Sequence, residues 1–380
     1  KTERLGGNVL NLYQTWMGED IQQHTQGLIE EISADERIET FLTSEIKEVE
    51  GFVGNFITTI SVDGGKEKKL SHGVTIIATG AQELKPEEYL YGKDPRVMTA
   101  LELDRVLIEK DERLKDIDTC VFIQCVGSRI PERPYCSRVC CTHSVASALH
   151  LKEMNPGMNV FVLYRDMRTY GMRENLYRKA RERGIIFIRF DNEKELKVDK
   201  ISGGLSVRFT DYTLKREIQI RADLLTLASA IVRKEEDSLS QLFKIPVNED
   251  GFFVEAHVKL RPVDFATDGV FFCGLAHSPR PIDESIAQAQ AAASRSVTLL
   301  AQKTIHSGGM VAVVNTLYCS SCGVCIAICP YKAPEFNEET GKAEINPVLC
   351  KGCGLCVASC RSGALHLNGF DEGQIMAMIG

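Results

Sequence analysis

The residues best able to do chemistry lie between Cys319 and Cys360. Cys319, Cys322, Cys325 and Cys329 form one C-x2-C-x2-C-x3-C run, followed by Pro330, and Cys350, Cys353, Cys356 and Cys360 form a second. Paired runs of this kind hold two [4Fe–4S] cubanes, the fourth cysteine of each run ligating the other cluster. One cluster is therefore expected on Cys319, Cys322, Cys325 and Cys360. Its partner is expected on Cys350, Cys353, Cys356 and Cys329. Gly323, Gly352 and Gly354 are expected to let the backbone approach the cluster sulfides. The alternatives are structural zinc, which favours paired C-x2–4-C ligands, and disulfides, which at this density belong to small secreted domains. This end of the chain reads as an electron carrier.

A second constellation gathers Cys125, Cys136, Cys140 and Cys141 around Pro131 and Pro134. It follows an apolar strand, where a dinucleotide-binding fold would carry a G-x-G-x-x-G turn. Only Gly127 of such a turn is present, so an NAD(P)H site is poorly supported. Four thiolates suit one more [4Fe–4S] cluster. A catalytic dithiol from Cys136 and Cys140 or a zinc site stays open on spacing alone. Cys120 and Cys273 sit in strand-like stretches and read as buried structural thiols. His143 reads as a helix-capping or core histidine rather than a ligand.

The elements that must position these groups alternate in type. Glu19–Ile32 reads as an amphipathic helix, the alternation of Phe56, Thr58, Ile60 and Val62 as a strand, and Asp63-Gly64-Gly65 as its turn. Val74–Ala81 reads as a buried strand ending in a glycine turn. Thr119–Gln124, Asn159–Leu163 and Ile185–Phe190 are expected strands, with helices over Ser144–Met154 and Arg173–Arg183 between them. A meander follows (Val207, Phe209; Ile218, Ile220), and Asp223–Ala230 echoes Val74–Ala81. Thr267–Gly274 reads as a closing strand. A helix is then expected from Asp283-Glu284-Ser285 through Ala287–Ala293, its N-terminal amides suited to an anion, unless it is a plain amphipathic Ala-rich helix. Strands alternating with helices predict an α/β fold. Two Rossmann-like nucleotide-binding units, similar to those of thioredoxin-reductase-like flavoproteins, are followed by a small α+β two-cluster module. The expected division is 1–115 with 245–305 for FAD, 116–244 for the NAD(P)H-domain-like unit with its cysteine insertion, and 306–380 for the clusters.

Composition narrows the function. The 380 residues are 44% hydrophobic and 26% charged, ordinary for a globular chain. A net charge of −7 offers no broad basic surface and disfavours nucleic acid. The longest apolar stretch, Leu224–Val232, is short and interrupted by Thr226 and Ser229, so no membrane span is expected. Fourteen cysteines, mostly at cluster spacing, point to the reducing cytoplasm of an anaerobe.

The segment Cys125-Val-Gly-Ser-Arg129, then Cys136, Cys140 and Cys141, then Tyr164–Gly171, closely resembles the A-subunit of heterodisulfide reductase, and the resemblance runs from Leu5 to the tail. It implies FAD in a thioredoxin-reductase-like core, a [4Fe–4S] cluster on Cys125, Cys136, Cys140 and Cys141, and a two-cluster ferredoxin module: three clusters in all. FAD contacts are expected from Leu5, Gly6, Gly7 and Asn8, from Thr79, Gly80 and Ala81, and from Gly274, Glu284, Ser285 and Ile286. The aspartate usual after the closing strand of flavoprotein reductases is replaced, since Leu275 follows Gly274. The implied activity is electron transfer with flavin-based bifurcation, one electron of each pair going to low-potential ferredoxin. Implied partners are B and C subunits, a hydrogenase or formate dehydrogenase subunit for electron input, and ferredoxin. Related subunits occur with class II benzoyl-CoA reductase and in sulfate-reducer complexes. The first strand and glycine turn of the FAD unit do not precede Leu5 here, so an upstream segment or a separate chain is expected to complete the flavin site. Two other readings stand beside this one: an NAD(P)H-dependent iron–sulfur oxidoreductase like the small subunit of glutamate synthase, and a non-catalytic relay.

Overall fold

The computed structural model describes residues 2–62, 65–190, 196–233, 238–304 and 310–379. The turn expected at Asp63-Gly64-Gly65 and the boundary at 305/306 fall partly outside them.

The centre is a five-stranded parallel sheet in the order Val97–Thr99, Leu224–Ser229, Thr119–Val126, Asn159–Tyr164, Ile186–Arg189. Its middle strand alternates as the pleat requires. Cys120 and Phe122 face a core built with Leu103, Leu107, Val145, Ala148 and Ala180, which come from three helices on that side. Val121 and Ile123 face the opposite core, closed by Leu205, Val207 and Phe209 of the antiparallel meander Lys197–Ile201, Gly204–Thr210 and Glu217–Ala222. Both faces are thus covered, which is why the strands read as continuous apolar runs.

Around this unit the chain builds another. A meander of Glu45–Phe52, Asn55–Val62 and Lys66–His72 packs beside a parallel pair, Thr75–Ile77 with Val270–Phe272. In its core Phe265 stacks on Phe272 and meets Phe253 edge to face. The strand expected over Val74–Ala81 spans only Thr75–Ile77, and Ile76 keeps 41% exposure because the strand has a single hydrogen-bonded neighbour. The two passages between the units run side by side, Gln82–Glu83 antiparallel to Ile231–Val232.

The closing helix, Ile282–Leu300, begins one residue before its expected start and runs seven residues past the expected Ala293. The tail folds with internal symmetry: Ala312–Val314 pairs with Leu365–Leu367, and Pro334–Phe336 with Ala343–Ile345. Short helices Val324–Ile328 and Leu355–Ala358 each start after a left-handed glycine, Gly323 (φ 74°) and Gly354 (φ 76°). The tail docks on the preceding unit through Val348, which packs against the Phe243/Ile245 core, and through a Lys351–Asp268 ion pair.

Candidate iron–sulfur and flavin sites

In the tail the symmetry sorts eight cysteines into two cavities. Cys319, Cys322, Cys325 and Cys360 line one; Cys350, Cys353, Cys356 and Cys329 line the other. Each cavity takes three sulfurs from one run and the fourth from the opposite run, as the spacing predicts. Each has about 350 Å³ of space, counting its opening. The donors around them suit thiolate: the Ala312 amide donates to Cys350 Sγ at 3.3 Å. The Val324 amide and the Ser320 hydroxyl hold the Cys322 thiol below its usual range. Gly352 has a reason beyond the one expected. At φ 62° its ideal Cβ would lie 2.3 Å from the Met310 carbonyl oxygen, so backbone crowding excludes a side chain.

The third quartet also converges. Cys125, Cys136, Cys140 and Cys141 line a cavity of about 280 Å³ with Arg129 and Arg138. Three non-glycine residues here are left-handed: Cys125 (φ 63°), Arg129 (φ 60°) and Arg138 (φ 58°). Such backbone is costly and concentrates at functional sites. It turns the end of strand Thr119–Val126 so that Cys125 joins the loop cysteines. Helix Cys140–Met154 starts four residues earlier than expected, placing Cys140 and Cys141 in its first turn. The exposed N–H groups of such a turn favour negative charge.

This cavity suits an iron–sulfur core better than free thiols. Burial, reinforced by the neighbouring thiolates of Cys125, Cys141 and Cys136, pushes Cys140 well above its ordinary range. Burial pushes Cys141 up to about 11. Without a cation these sulfurs stay protonated, whereas a coordinating metal deprotonates a thiol outright. Donors are already in place. The Arg138 amide reaches Cys136 Sγ at 3.3 Å, and Arg129, whose side chain interacts with Cys125, has a buried Nη1 with no other hydrogen-bond partner among the described residues. Among the described residues no three His, Cys, Asp or Glu side chains converge on a single ion. The sulfurs surround a space instead of a point.

Around the quartet runs a polar network that links it to the closing helix. Arg129 binds Asp166 at 2.5 Å and holds that carboxyl below its usual range. Arg138 reaches Glu284 at 2.8 Å, Tyr170 donates to the same carboxylate, and Arg173 binds Asp283 at 2.7 Å. The first-turn acids of Ile282–Leu300 therefore face guanidinium groups of the cysteine loop and of the segment after Tyr164.

The expected flavin contacts are partly assembled. Asn8 Nδ2 donates to the Ala81 carbonyl at 2.6 Å, drawing the Leu5–Asn8 loop onto the Thr79–Ala81 turn. Gly6 takes φ 103°, and ideal Cβ atoms at Gly7 and Gly80 would meet nothing within 4 Å, so the backbone there faces open space. The Gly274 amide donates to Gln288 Oε1 at 2.7 Å, Ser285 Oγ donates to the Pro281 carbonyl, and Ile286 is 45% exposed. Gly274, Glu284 and Ser285 thus already have protein partners, and the loop and turn offer the open backbone. His143 binds Asp104 at 2.9 Å, and Cys120 and Cys273 are buried away from the three quartets.

The family of 4Fe-4S dicluster domains matches residues 302–364. The second of two iron–sulfur A-subunits of CoB–CoM heterodisulfide reductase from Methanopyrus kandleri is 38% identical over 287 residues, 71% of this chain and 44% of that protein. The corresponding A-subunit from Methanocaldococcus jannaschii is 37% identical over 333 residues, 83% of this chain and 50% of that protein. Over most of its length the chain is similar to the A-subunits of heterodisulfide reductase. It spans about half the length of the curated relatives it matches. A thioredoxin reductase of T. acidophilum overlays with a TM-score of 0.48 at 14% identity, covering 78% of this chain and 86% of that one.

The residues of these sites that spacing did not reveal are Arg129, Arg138, Asp166, Arg173 and Asp283. A usable signal was present, since arginine recurs through Arg129–Arg138 and Arg165–Arg173 beside the cysteines.

Proposed function

We propose that this chain is the FAD- and iron–sulfur-bearing part of a heterodisulfide-reductase-type electron-transfer complex, an oxidoreductase that carries three [4Fe–4S] clusters. The observation that carries the reading is the convergence of twelve cysteines, as three quartets, on three separate cavities. Cys319, Cys322, Cys325 and Cys360 would hold one cluster, Cys350, Cys353, Cys356 and Cys329 the second, and Cys125, Cys136, Cys140 and Cys141 the third. The Leu5–Asn8 loop and the Thr79–Ala81 turn would hold the flavin against Gly274–Ile286. The units would divide as 1–115 with 245–305, 116–244 and 306–380.

Bound flavin would exchange electron pairs and the clusters single electrons, the basis of bifurcation toward ferredoxin. The chain's own residues supply ligation, burial and hydrogen bonds to sulfur, the levers that set cluster potentials. Arg129 and the bulky cysteine loop occupy the turn where a pyrophosphate would rest in an NAD(P)H domain. Reduced nicotinamide is therefore not the direct donor. The partners would be B and C subunits, ferredoxin, and an electron-input subunit of hydrogenase or formate dehydrogenase, in the cytoplasm.

Anaerobic reconstitution tests this. Iron and sulfide should each approach about twelve per chain, four per cubane. A reproducible value near eight would remove the Cys125–Cys141 cluster. Rapid, saturable bleaching of bound flavin by NADH would overturn the exclusion of nicotinamide.

A further inference from the structure

The three cavities differ sharply in charge. The Cys125–Cys141 cavity is lined by Arg129, Arg138 and Arg168, with Asp166 as the only acid among the described residues. The Cys329/Cys350 cavity has a single charged side chain among them, Lys351, which is paired with Asp268. No described charged side chain lines the Cys319/Cys360 cavity, although Lys342 Nζ donates to the Cys319 carbonyl at 2.8 Å, and Lys244 interacts electrostatically with Cys329 of the other quartet. Burial differs too, and by itself it opposes the added negative charge, so the arginine charge has to outweigh it. Cys125, Cys140 and Cys141 are buried, whereas Cys322 and Cys353 are exposed.

Each one-electron reduction adds a negative charge to a cluster that is already anionic through its four thiolates. A nearby fixed positive charge stabilises that added charge, and more strongly where solvent is excluded. Net charge and hydrogen bonds to sulfur are what move cluster potentials. Arg129 offers both: its side chain interacts with Cys125 at the cavity wall, and its buried Nη1 has no other hydrogen-bond partner among the described residues. Arg138 adds a backbone donor to Cys136 and a guanidinium held at the rim by Glu284.

Resting on the three-cluster reading above, we propose that Arg129 and Arg138 raise the reduction potential of the Cys125–Cys141 cluster above that of both tail clusters. Of the three clusters, this one then takes up the first electron. These arginines are tuning residues, acting on the cluster through charge and hydrogen bonding.

The test is an anaerobic redox titration of the reconstituted chain with dithionite as the electron source, followed by electron paramagnetic resonance. In the wild type, one cluster signal should appear at higher potential than the other two. Cys136→Ala should abolish that signal and leave the later pair. Arg129→Gln and Arg138→Gln should move the same signal to lower potential and leave the tail signals in place, and Arg129→Lys should restore most of the shift. Tail signals appearing first, or potentials unmoved in both glutamine variants, would overturn the proposal. If a variant fails to assemble, the order of signals in the wild type decides alone. Eight irons and no third signal would instead remove the cluster, and with it both the proposal and the reading beneath it.

Discussion

Replacing Gly352 by alanine should weaken the cluster module far more than the same change at Gly323. The module contains its own control. Ser321 occupies the position in the first run that Gly352 occupies in the second, and it sits left-handed at φ 55° with a side chain. Left-handed backbone is therefore tolerated at this place in the repeat. What differs is Met310, whose carbonyl oxygen lies 2.3 Å from the ideal Cβ of residue 352 and must retreat by about 0.7 Å to reach the 3.0 Å that real contacts respect. Met310 stands two residues before Ala312, whose amide donates to Cys350 Sγ, so the displacement would reach the proposed cluster ligand. At Gly323 (φ 74°) the nearest atom is a Phe336 ring carbon at 3.6 Å, an ordinary contact. Both alanines incur the left-handed cost of about 1–2 kcal/mol. Only Gly352→Ala adds overpacking, about 1–3 kcal/mol. For a unit of this size each kcal/mol moves the melting temperature by about 4–8 °C, so Gly352→Ala should melt roughly 4–24 °C below Gly323→Ala. The assay is thermal bleaching of the iron–sulfur absorbance under argon at matched heating rates. Melting of the two variants within about 2 °C of each other, well inside that scale, would refute the steric argument.

Three further outcomes are expected. Cys329→Ala should make Cys350, Cys353 and Cys356 alkylatable while Cys319, Cys322, Cys325 and Cys360 stay protected; mass spectrometry showing the reverse would rule out crossed ligation. Cys120, whose thiol burial pushes up to about 12 against a small opposing pull from Thr226, should resist iodoacetamide until the chain unfolds, and labelling of the folded chain would contradict its assignment as a core thiol. Asp94 is 3% exposed and accepts bonds from Arg96 Nε and Nη2, both at 2.8 Å, which hold its carboxyl well below the usual range. Because the folded value lies below the unfolded one, its stabilisation is present above about pH 4 and fades as pH falls toward the folded value. Asp94→Asn should thus lose roughly 1.5–3 kcal/mol near neutrality, and the gap to wild type should close in acid; a gap independent of pH in urea denaturation would refute it.

What was legible in the sequence was set by distance along the chain. Cys319 to Cys360 could be grouped because ligand spacing is local and the crossing follows from a repeated run. The parallel sheet was legible because Val121–Ile123 and Leu224–Leu227 are buried on both faces. The Arg138–Glu284 and Arg173–Asp283 contacts were not, since they join residues 146 and 110 positions apart and no periodicity announces such a pair. Asp283 therefore read only as a helix start facing an anion, and Glu284 as a flavin contact. Gly352 was noticed for the right residue type, but its main constraint, the Met310 carbonyl, lies on a neighbouring strand approach that spacing does not encode. The length of the strand at Thr75–Ile77, expected to reach Ala81, also escaped, because it depends on how many neighbours the strand finds.

The crossed arrangement of the tail cysteines has a consequence for biosynthesis. Neither cavity has its full set of sulfurs until Cys360 and Cys329 have each reached the opposite run. A chain emerging from the ribosome presents Cys319, Cys322 and Cys325 well before Cys360 exists. A cluster delivered at that moment would be held by three thiolates and remain open to loss or exchange. Maturation of both cavities is thereby tied to closure of the Ala312–Val314 and Leu365–Leu367 pair. Metal loading should then behave as a single late checkpoint that a nascent or misfolded chain does not pass.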